Sequence, residues 1–302
     1  MKDPYLLHMF NPTKNVSPFD VNMAYEADFD GVIPYSNVTV EEVYGLTQDA
    51  IFSRGATGVK RTGIFIGGRE FGLAIDMLNK AKTAMVPPFE VSVFADPSGA
   101  ITTAAALIAL VEFWVTKQTG ADLQGKVIHI FGGTGPVGIC AGILAASCNA
   151  EVYITSHRGA DVAQRIADEY NSRYKVEMHG AGSGTEQDVE KFLQDSNVVI
   201  GAAKAGVRVM SKSQLEQARN LIVAADVNAV PPAGIEGVEV NDMGKKIELA
   251  CADVLGIGAL AIGNLKYKVH YELFQMMKTT SKPVYLEHTQ AFEIARKLLN
   301  KL

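Results

Sequence analysis

The residues that most clearly point to a chemistry form a glycine-rich turn near the middle of the chain. The turn follows an apolar run at 126–131, precedes a helical pattern at 139–146, and consists of Gly133, Thr134, Gly135, Pro136, Val137 and Gly138. In a G-x-G-x-x-G turn the first glycine permits the tight turn, the second lets the backbone approach a pyrophosphate, and the third lets helix and strand pack closely. The amides at the helix start then face the phosphate charge. One match in a chain with 28 glycines also fits an ordinary strand-to-helix turn, but the flanking strand and helix favour a dinucleotide site.

The end of the next predicted strand, at 151–155, indicates which dinucleotide fits. An acidic residue there would hold the ribose hydroxyls of NAD and repel a 2′-phosphate. The sequence instead has Ser156, His157 and Arg158, and a guanidinium and a hydroxyl suit a phosphate. We therefore expect NADP, with NAD still possible; the alternative is that Arg158 is a solvated loop residue. Further cofactor residues are predicted after the later strands of this half, at Ala203, Asp226 and Asn228.

Residues for proton transfer are not evident in the sequence. No tyrosine is followed four residues later by lysine, and the six histidines are scattered along the chain. Dehydrogenases of alcohols need such an acid or base for the hydroxyl proton. A methylene group between two nitrogens does not, because loss of hydride leaves a cation shared across N-C-N, which a nearby carboxylate would stabilise. The sequence thus favours a substrate whose oxidation releases no proton from oxygen.

Composition and length exclude several classes of protein. A chain of 302 residues with 48% apolar residues predicts two domains with real cores. The 20% charged residues and the net charge of -5 offer no broad basic surface, so we expect no nucleic-acid partner. The amino terminus does not resemble a secretory signal and no membrane segment is expected, so the protein is predicted to be cytoplasmic. Cys140, Cys148 and Cys251 form no zinc-type spacing, so we predict buried cysteines and no metal.

The pattern of apolar residues predicts an α/β fold with a parallel sheet in each of two domains. Predicted strands lie at 5–9, 63–66, 91–94, 126–131, 151–155, 197–201 and 221–224, and predicted helices include 101–115, 139–146, 160–170 and 291–299. Ser17 with Pro18 and Thr39 with Glu42 are typical of helix starts. The polar break at 117–122 separates a domain at 1–118 from a Rossmann-type, doubly wound domain at 122–284. A helix at 285–302 is predicted to pack back on the first domain.

Several longer stretches carry a resemblance to a known family. They are SPFDVNMA at 17–24, SR at 53–54 with RTGIFIGG at 61–68, FADPSG at 94–99 with TT at 102–103, ADVNAVPPAGI at 225–235, and GIGAL at 256–260 with GNLKYK at 263–268. Over essentially its whole length the chain resembles the NAD(P)-dependent methylenetetrahydromethanopterin dehydrogenases of methylotrophic bacteria. The resemblance implies hydride transfer from methylene-tetrahydromethanopterin, or methylene-tetrahydrofolate, to NAD(P) in one-carbon metabolism. It also implies a carrier held between the domains and a homo-oligomer, with trimers expected.

The resemblance also implies roles for individual residues. Cofactor contacts map onto Thr134, Arg158 and Lys266, with Lys266 beside Arg158 near the 2′-phosphate. Family members that accept NAD have an acidic residue where Arg158 stands, so the sequence departs from them. For the carrier side we predict four residues at helix starts or strand ends, namely Asp20, Asp96, Thr102 and Thr103. The alternative for these four is a turn or capping role.

Four cations form a second candidate set for the carrier. Arg54, Lys60, Arg61 and Arg69 are predicted to meet its anionic tail or to form a solvated face. Two other functions stay open at this point. One is a different NADP dehydrogenase, which would have a Lys-Asp or His-carboxylate proton relay. The other is a dinucleotide-binding protein without turnover.

Overall fold

The computed structural model describes residues 3–249 and 253–301, so Cys251 and the first two residues lie outside the described part. The chain divides into two compact units, one formed by Met1–Thr102 with Tyr267–Ile294 and the other by Thr103–Lys266 with Ala295–Leu302. The division falls inside three helices, so it differs from the limits at 118 and 122 that the polar break predicts. Those domain limits, and the packing of residues 285–302 on the first domain, stay predictions.

Twelve strands are named in the described residues. They are β1 Leu6–Phe10, β2 Gly31–Tyr35, β3 Thr62–Ile66, β4 Ser92–Ala95, β5 Val127–Phe131, β6 Glu151–Ser156, β7 Met178–Gly182, β8 Val198–Gly201, β9 Val223–Asp226, β10 Met243–Ile247, β11 Val254–Ile257 and β12 Tyr285–Leu286. The strands predicted from apolar runs are confirmed within one or two residues at each end. The sequence analysis missed β2, β7, β10, β11 and β12.

The helices connect these strands. They are α1 Pro18–Glu26, α2 Val40–Phe52, α3 Ala56–Val59, α4 Phe71–Thr83, α5 Ala100–Thr119, α6 Pro136–Ser147, α7 Ala160–Tyr174, α8 Glu186–Leu193, α9 Lys212–Leu215, α10 Ala259–Thr279 and α11 His288–Leu299. Ser17 is the N-cap of α1 with Pro18 in its first turn, although the Ser17 side chain makes no capping bond. Thr39 and Glu42 form the predicted capping box.

The first unit contains a five-stranded parallel sheet in the order β12-β4-β3-β1-β2. Every residue of β3 and β4 is buried, because strands covered by helices on both faces carry apolar residues in continuous runs. All these strands point the same way, so the loops that follow β1, β3 and β4 emerge at one edge. We call it the carboxyl edge of the first unit.

The second unit contains a seven-stranded sheet in the order β10-β11-β9-β8-β5-β6-β7. Its neighbours pair in parallel except β10 with β11. Strand order runs outward in both directions from β5 and β8, as in the predicted doubly wound fold, which is confirmed. The glycine turn follows β5, next to the point where the strand order reverses, which is where such sheets bind ligands.

Helix α5 is a long, apolar helix of 20 residues. It includes Lys117, Gln118 and Thr119, so the first half of the polar break at 117–122 is helical. With the preceding turn it is long and apolar enough to cross a membrane, but 72% of its apolar window is buried inside the protein. Burial of that extent is typical of a core helix.

Candidate functional site

The glycine turn adopts the geometry of a phosphate-binding loop, with one change in the roles of its glycines. Gly132 has φ 74°, so the left-handed position of the turn is the residue before the motif rather than Gly133. The Gly135 amide donates to the Gly132 carbonyl at 3.1 Å, and the Gly133 amide donates to the Ile130 carbonyl at 3.1 Å. The spacing of the motif predicted that Gly133 forms the tight turn. In the structure Gly132 forms it, because glycine adopts a left-handed conformation without steric penalty.

The other glycines differ in what a side chain would meet. A Cβ on Gly133 would lie 2.7 Å from Ile154 Cβ, and one on Gly138 would lie 2.5 Å from Gly133 Cα. These two glycines are therefore required by the packing of β5, β6 and α6. A Cβ on Gly135 would meet nothing closer than the Gly132 carbonyl at 3.4 Å. Internal packing does not require glycine at Gly135, and the space beside it suits a group that comes from outside the chain, as the second glycine of a dinucleotide motif does.

The start of α6 is electrostatically prepared for an anion. Gly135 is the N-cap and provides no side-chain hydrogen bond, Pro136 occupies the first turn, and that turn has no acidic residue. The helix start therefore keeps both its partial positive charge and amides that side chains do not cap. Thr134 and Val137 border it and are half-buried. These features fit the pyrophosphate of a dinucleotide.

The end of β6 presents hydrogen-bond donors. Ser156 is 2% exposed, and its hydroxyl oxygen accepts the Arg158 amide at 3.1 Å. Since that oxygen is used as an acceptor, its own proton is available to another group. His157 and Arg158 are exposed, and within residues 3–249 and 253–301 the Arg158 guanidinium has no ion-pair partner. These three residues, which were predicted from sequence, follow one another at the carboxyl end of β6, and their contact with an adenosine 2′-phosphate stays a prediction.

Sequence reasoning missed Ser183, which belongs to the same edge. Its amide donates to the Ser156 carbonyl at 3.0 Å, and its hydroxyl oxygen accepts from Thr155 Oγ1 at 3.0 Å. The Ser183 proton must then point away from Thr155. Neither loop, 156–159 or 183–185, contains an acidic residue; the nearest in sequence are Glu186, the first residue of α8, and Asp161, in the first turn of α7. Ser156, Arg158 and Ser183 thus form a donor cluster.

Residues after β8 and β9 shape the loops of the cofactor side. The backbone of Ala203 lies so close to Gly132 that a Cβ there would be 2.6 Å away, so Ala203 borders the glycine turn. Asp226 accepts the amides of Asn228 and Ile235, each at 3.0 Å. Burial raises the pKa of Asp226, and those amide bonds oppose the rise.

The Asn228 side chain is also committed to the protein. Its Oδ1 accepts the amides of Gly206 and Val230, and its Nδ2 donates to the Pro232 carbonyl. Asp226 and Asn228 therefore order the loop that follows β9. Direct contact of Ala203, Asp226 or Asn228 with a cofactor stays a prediction.

Lys266 lies in a different part of the second unit from Arg158. It is half-buried in α10, the helix that follows β11. Three strands, β9, β8 and β5, separate β11 from β6, which amounts to roughly 19 Å between their ends at the usual strand spacing. The role of Lys266 beside Arg158 at a 2′-phosphate stays a prediction.

The predicted carrier residues of the first unit are largely buried. Asp20 is 3% exposed in the first turn of α1, Asp96 and Thr102 are fully buried, and Thr103 is half-buried. Asp96 Oδ1 accepts the amides of Ile101 and Thr102 at 2.9 and 3.2 Å, and Oδ2 accepts Thr102 Oγ1 at 2.6 Å. Both oxygens hold the start of α5, which is the capping role named as the alternative. Contact of these four residues with a substrate stays a prediction.

A buried histidine that the sequence did not single out contacts Asp96. His270 Nδ1 lies 3.1 Å from Asp96 Oδ2, and both side chains are fully buried. Four phenylalanine rings surround the imidazole, those of Phe19, Phe65, Phe94 and Phe274. Asp96 thus ties the loop after β4 to α10.

The loops at the carboxyl edge of the first unit include a strained residue. Ser98 is exposed and has φ 53° and ψ 27°, a left-handed conformation that costs a residue with a Cβ about 1–2 kcal/mol. Its hydroxyl donates to the Gly68 carbonyl at 2.9 Å, and such a bond contributes about 0.5–1.5 kcal/mol net. The bond and the strain nearly cancel, so this contact adds little to the stability of the fold.

Of the four candidate cations, two are committed to structure. The Arg54 guanidinium donates to the carbonyls of Pro4 and Arg61 and to Thr62 Oγ1. The Arg61 guanidinium lies 3.6 Å from the centre of the Tyr5 ring. Pro4 precedes β1 and Arg61 and Thr62 lie at the start of β3, so this cluster is at the opposite edge of the sheet.

Arg69 and Lys60 remain exposed, and Arg69 follows Gly68 at the carboxyl edge.

The structure shows how far two of the three cysteines are buried and whether potential metal ligands lie together. Cys140 is buried, whereas Cys148 is half-buried and contacts Arg296 Nη2 at 3.2 Å; burial raises the pKa of the Cys148 thiol. Among the residues that the structure describes, His, Cys, Asp and Glu form no group of three suited to a metal ion.

The chain is similar to known proteins over nearly its whole length. Residues 18–98 match the family model described as the amino-terminal part of methylene-tetrahydromethanopterin dehydrogenase. The chain is 43% identical over 96% of its length to an NAD(P)-dependent methylenetetrahydromethanopterin dehydrogenase from Methylorubrum extorquens, 97% of which is covered. It is 31% identical over 97% of its length to the bifunctional protein MdtA of the same organism, with 98% of that protein covered.

A solved structure shares the fold. Shikimate 5-dehydrogenase from Listeria monocytogenes, solved with shikimate and NAD, aligns over 98% of this chain and 96% of its own, with a TM-score of 0.52 and 15% identity. At that identity the likeness concerns the fold alone, which agrees with the predicted Rossmann-type architecture.

Proposed function

Because the chain belongs to the family of NAD(P)-dependent methylenetetrahydromethanopterin dehydrogenases, we propose that it oxidises the methylene group of methylene-tetrahydromethanopterin to the methenyl form and uses NADP as hydride acceptor. The observation that carries the proposal is the glycine turn. There Gly133 and Gly138 are fixed by packing while Gly135 leaves open space in front of a helix start without a side-chain cap.

The cofactor fits the residues of the second unit. The turn at 133–138 would hold the pyrophosphate through backbone amides, and the donor cluster of Ser156, Arg158 and Ser183 would hold the 2′-phosphate. When bound, the nicotinamide ring supplies the acceptor for a hydride. We infer a preference for NADP over NAD because all three groups of the donor cluster can donate to a phosphate and the two loops that carry them lack a carboxylate.

The chemistry asks little of the protein's acids and bases. Loss of hydride from a carbon between two nitrogens leaves a delocalised cation and no proton to remove, so the residues need to orient the carrier rather than accept a proton. This requirement agrees with the state of Asp96, whose oxygens already hold three donors. For the carrier we infer binding at the carboxyl edge of the first unit, where exposed Arg69 can meet anionic groups.

A spectrophotometric assay tests the proposal. The purified protein is mixed with methylene-tetrahydromethanopterin and NADP, and absorbance of the reduced nicotinamide is followed; methylene-tetrahydrofolate and NAD are run in parallel. We expect turnover with the pterin and a lower KM for NADP than for NAD. Absence of turnover with both carriers would refute the enzyme proposal. If NADP still bound in that case, the protein would be a dinucleotide-binding protein; turnover of a hydroxy or amino acid instead would identify another dehydrogenase.

A homo-oligomer of three subunits or a multiple of three, and a cytoplasmic location, stay predictions from the sequence and its resemblance.

A further inference from the structure

We propose that Ser98 is a positioning residue for the one-carbon carrier, acting through its hydrogen bond to the loop of Gly67 and Gly68. The inference rests on the proposed function, because it needs a carrier bound at the carboxyl edge of the first unit. The observation behind it is an exposed serine that is held in a left-handed conformation while its hydroxyl donates to the Gly68 carbonyl at 2.9 Å. Strain at an exposed residue that contributes little to folding is a common feature of functional sites.

Ser98 joins loops that follow neighbouring strands. β3 pairs with β4 through Ile66 and Ala95, so the loops after them lie side by side. Gly68 has φ 104°, and a Cβ on it would lie 2.8 Å from Pro12 Cγ. Gly67 in turn donates its amide to the Phe10 carbonyl at 3.1 Å. The Ser98 bond therefore connects the loop after β4 to the loop after β3, which itself packs against the loop after β1.

The loop after β1 is rigid on its own account. Asn11 is buried, and its Nδ2 donates to the Thr13 carbonyl, to Thr13 Oγ1 and to the Asn15 carbonyl at 2.7 to 2.8 Å. A Cβ on Gly67 would lie 3.1 Å from Asn11 Oδ1. The Gly67-Gly68 loop thus packs against a rigid loop on the β1 side, and the Ser98 hydroxyl holds it on the β4 side.

The base of the Ser98 turn is also fixed. The Asp96 amide donates to the Ile66 carbonyl at 3.0 Å, and the Gly99 amide donates to the Asp96 carbonyl at 3.2 Å. The Asp96 carboxylate is buried against Thr102 and His270. Since both ends of the Ser98 turn are anchored, loss of the Ser98 hydroxyl releases Gly68 on the β4 side and leaves the turn in place.

The residue that gains from this order is Arg69, which follows Gly68 and is exposed. The two glycines before it have wide conformational freedom, so the direction of the Arg69 side chain depends on how Gly68 is held. A guanidinium fixed in direction binds an anionic group of the carrier more tightly than one on a loose loop. The Ser98 hydroxyl therefore sets the affinity for the carrier and leaves the affinity for NADP unchanged.

Three substitutions at Ser98 separate the tether from the strain. Ser98→Ala removes the hydroxyl and keeps the strained Cβ. Ser98→Gly removes both. Ser98→Asn keeps a side chain that tolerates the left-handed conformation and can donate to the Gly68 carbonyl. Ser53→Ala is the matched control, because the Ser53 hydroxyl also donates to a backbone carbonyl of the first unit, that of Ala50 at the end of α2.

Kinetics with methylene-tetrahydromethanopterin and NADP, together with the melting temperature, give the readout. We expect Ser98→Ala and Ser98→Gly to raise the KM for the carrier roughly five- to tenfold, about what loss of one hydrogen bond accounts for. The KM for NADP stays within twofold, Ser98→Gly melts no lower than wild type, and Ser98→Asn restores the carrier KM.

Other results would overturn the inference in recognisable ways. A carrier KM in Ser98→Ala and Ser98→Gly equal to that of wild type and Ser53→Ala shows that the tether has no role in binding. A lower melting temperature with both KM values raised together shows a merely structural bond. If wild type itself has no activity with the carrier, the proposed function has failed rather than the role of Ser98.

Discussion

The geometry of the glycine turn predicts that two glycine-to-alanine substitutions, three residues apart, affect different properties. Gly138→Ala should lower the stability of the protein, and Gly135→Ala should lower its affinity for NADP. Gly138→Ala places a Cβ 2.5 Å from Gly133 Cα and 2.7 Å from the Gly132 carbonyl. Both neighbours are backbone atoms, so the turn or α6 must move, at about 2–3 kcal/mol by analogy with overpacked cores. For a unit of this size that corresponds to a melting temperature lower by roughly 5–10 °C.

Gly135→Ala has little to collide with. Its Cβ would meet only the Gly132 carbonyl, at 3.4 Å, and the backbone at Gly135, φ -84° and ψ 167°, suits any residue. Alanine is a poorer N-cap than glycine, so we expect a loss of at most about 1 kcal/mol. The new methyl group fills the space that a pyrophosphate needs, so NADP affinity should fall at least about tenfold, or about 1.4 kcal/mol.

Two measurements on each variant decide the matter. Thermal unfolding without cofactor, followed by circular dichroism, reports stability, and calorimetric titration with NADP reports affinity. Gly45→Ala is the control, because a Cβ on Gly45 in α2 meets nothing within 4 Å. Wild-type NADP affinity in Gly135→Ala would refute the assignment of the pyrophosphate to this turn. Equal loss of stability in Gly135→Ala and Gly138→Ala would refute the division of the glycines by packing.

Three further predictions concern the second unit. Arg158→Asp should raise the KM for NADP far more than that for NAD, with Arg165→Asp in α7 as control; equal effects on both cofactors contradict a phosphate contact. Ser183→Ala should weaken NADP several-fold and leave NAD unchanged, whereas a parallel loss for both argues against the donor cluster. His129 has a pKa lowered to about 4 by burial, so stability present above pH 6.5 should fall by about 3 kcal/mol as pH drops to 4. Denaturant unfolding across that range should show this loss in wild type and not in His129→Phe.

The His129 prediction depends on where the ring lies. It stacks between Tyr153 and Phe192 with ring centres 4.8 and 4.7 Å away, and Ser196 Oγ lies 2.7 Å from its Nδ1. A folded-state pKa below the unfolded value means that the unfolded chain binds more protons between pH 6.5 and 4, so acid favours unfolding in that window.

Local structure was predictable from sequence where strand, turn and helix follow one another in the chain. The glycine turn, the capping box at Thr39 and the loop of Ser156 and Arg158 are of this kind, while the binding roles of the glycine turn and of this loop stay predictions. Ser183 was missed because β7, MHGAG, contains two glycines and no β-branched residue, so its strand character comes from pairing with β6 and not from its own side chains.

Features that join distant segments were not predictable. β12 has two residues and joins the first sheet beside β4, after the chain has passed through Thr103–Lys266 of the second unit. His270 meets Asp96 by the same route, since α10 returns part of the chain to the first unit. No periodicity of either segment indicates its partner, and the compact units therefore differ from the limits drawn at a polar break.

Asp96 shows why the role of an acidic residue cannot be read from the sequence alone. In sequence, a carboxylate at the end of a buried strand, near two threonines, looks like a catalytic group. Only the structure shows how many hydrogen bonds it already accepts, and that number separates a catalytic role from a structural one. Three hydrogen bonds and a buried imidazole leave its oxygens occupied, so a reaction that needed Asp96 as a base would first have to break the start of α5. Hydride loss from a carbon between two nitrogens makes no such demand. The reaction that the family performs is therefore compatible with a carboxyl edge at which Asp96 only stabilises the fold. An alcohol dehydrogenase on the same scaffold would need a proton acceptor elsewhere.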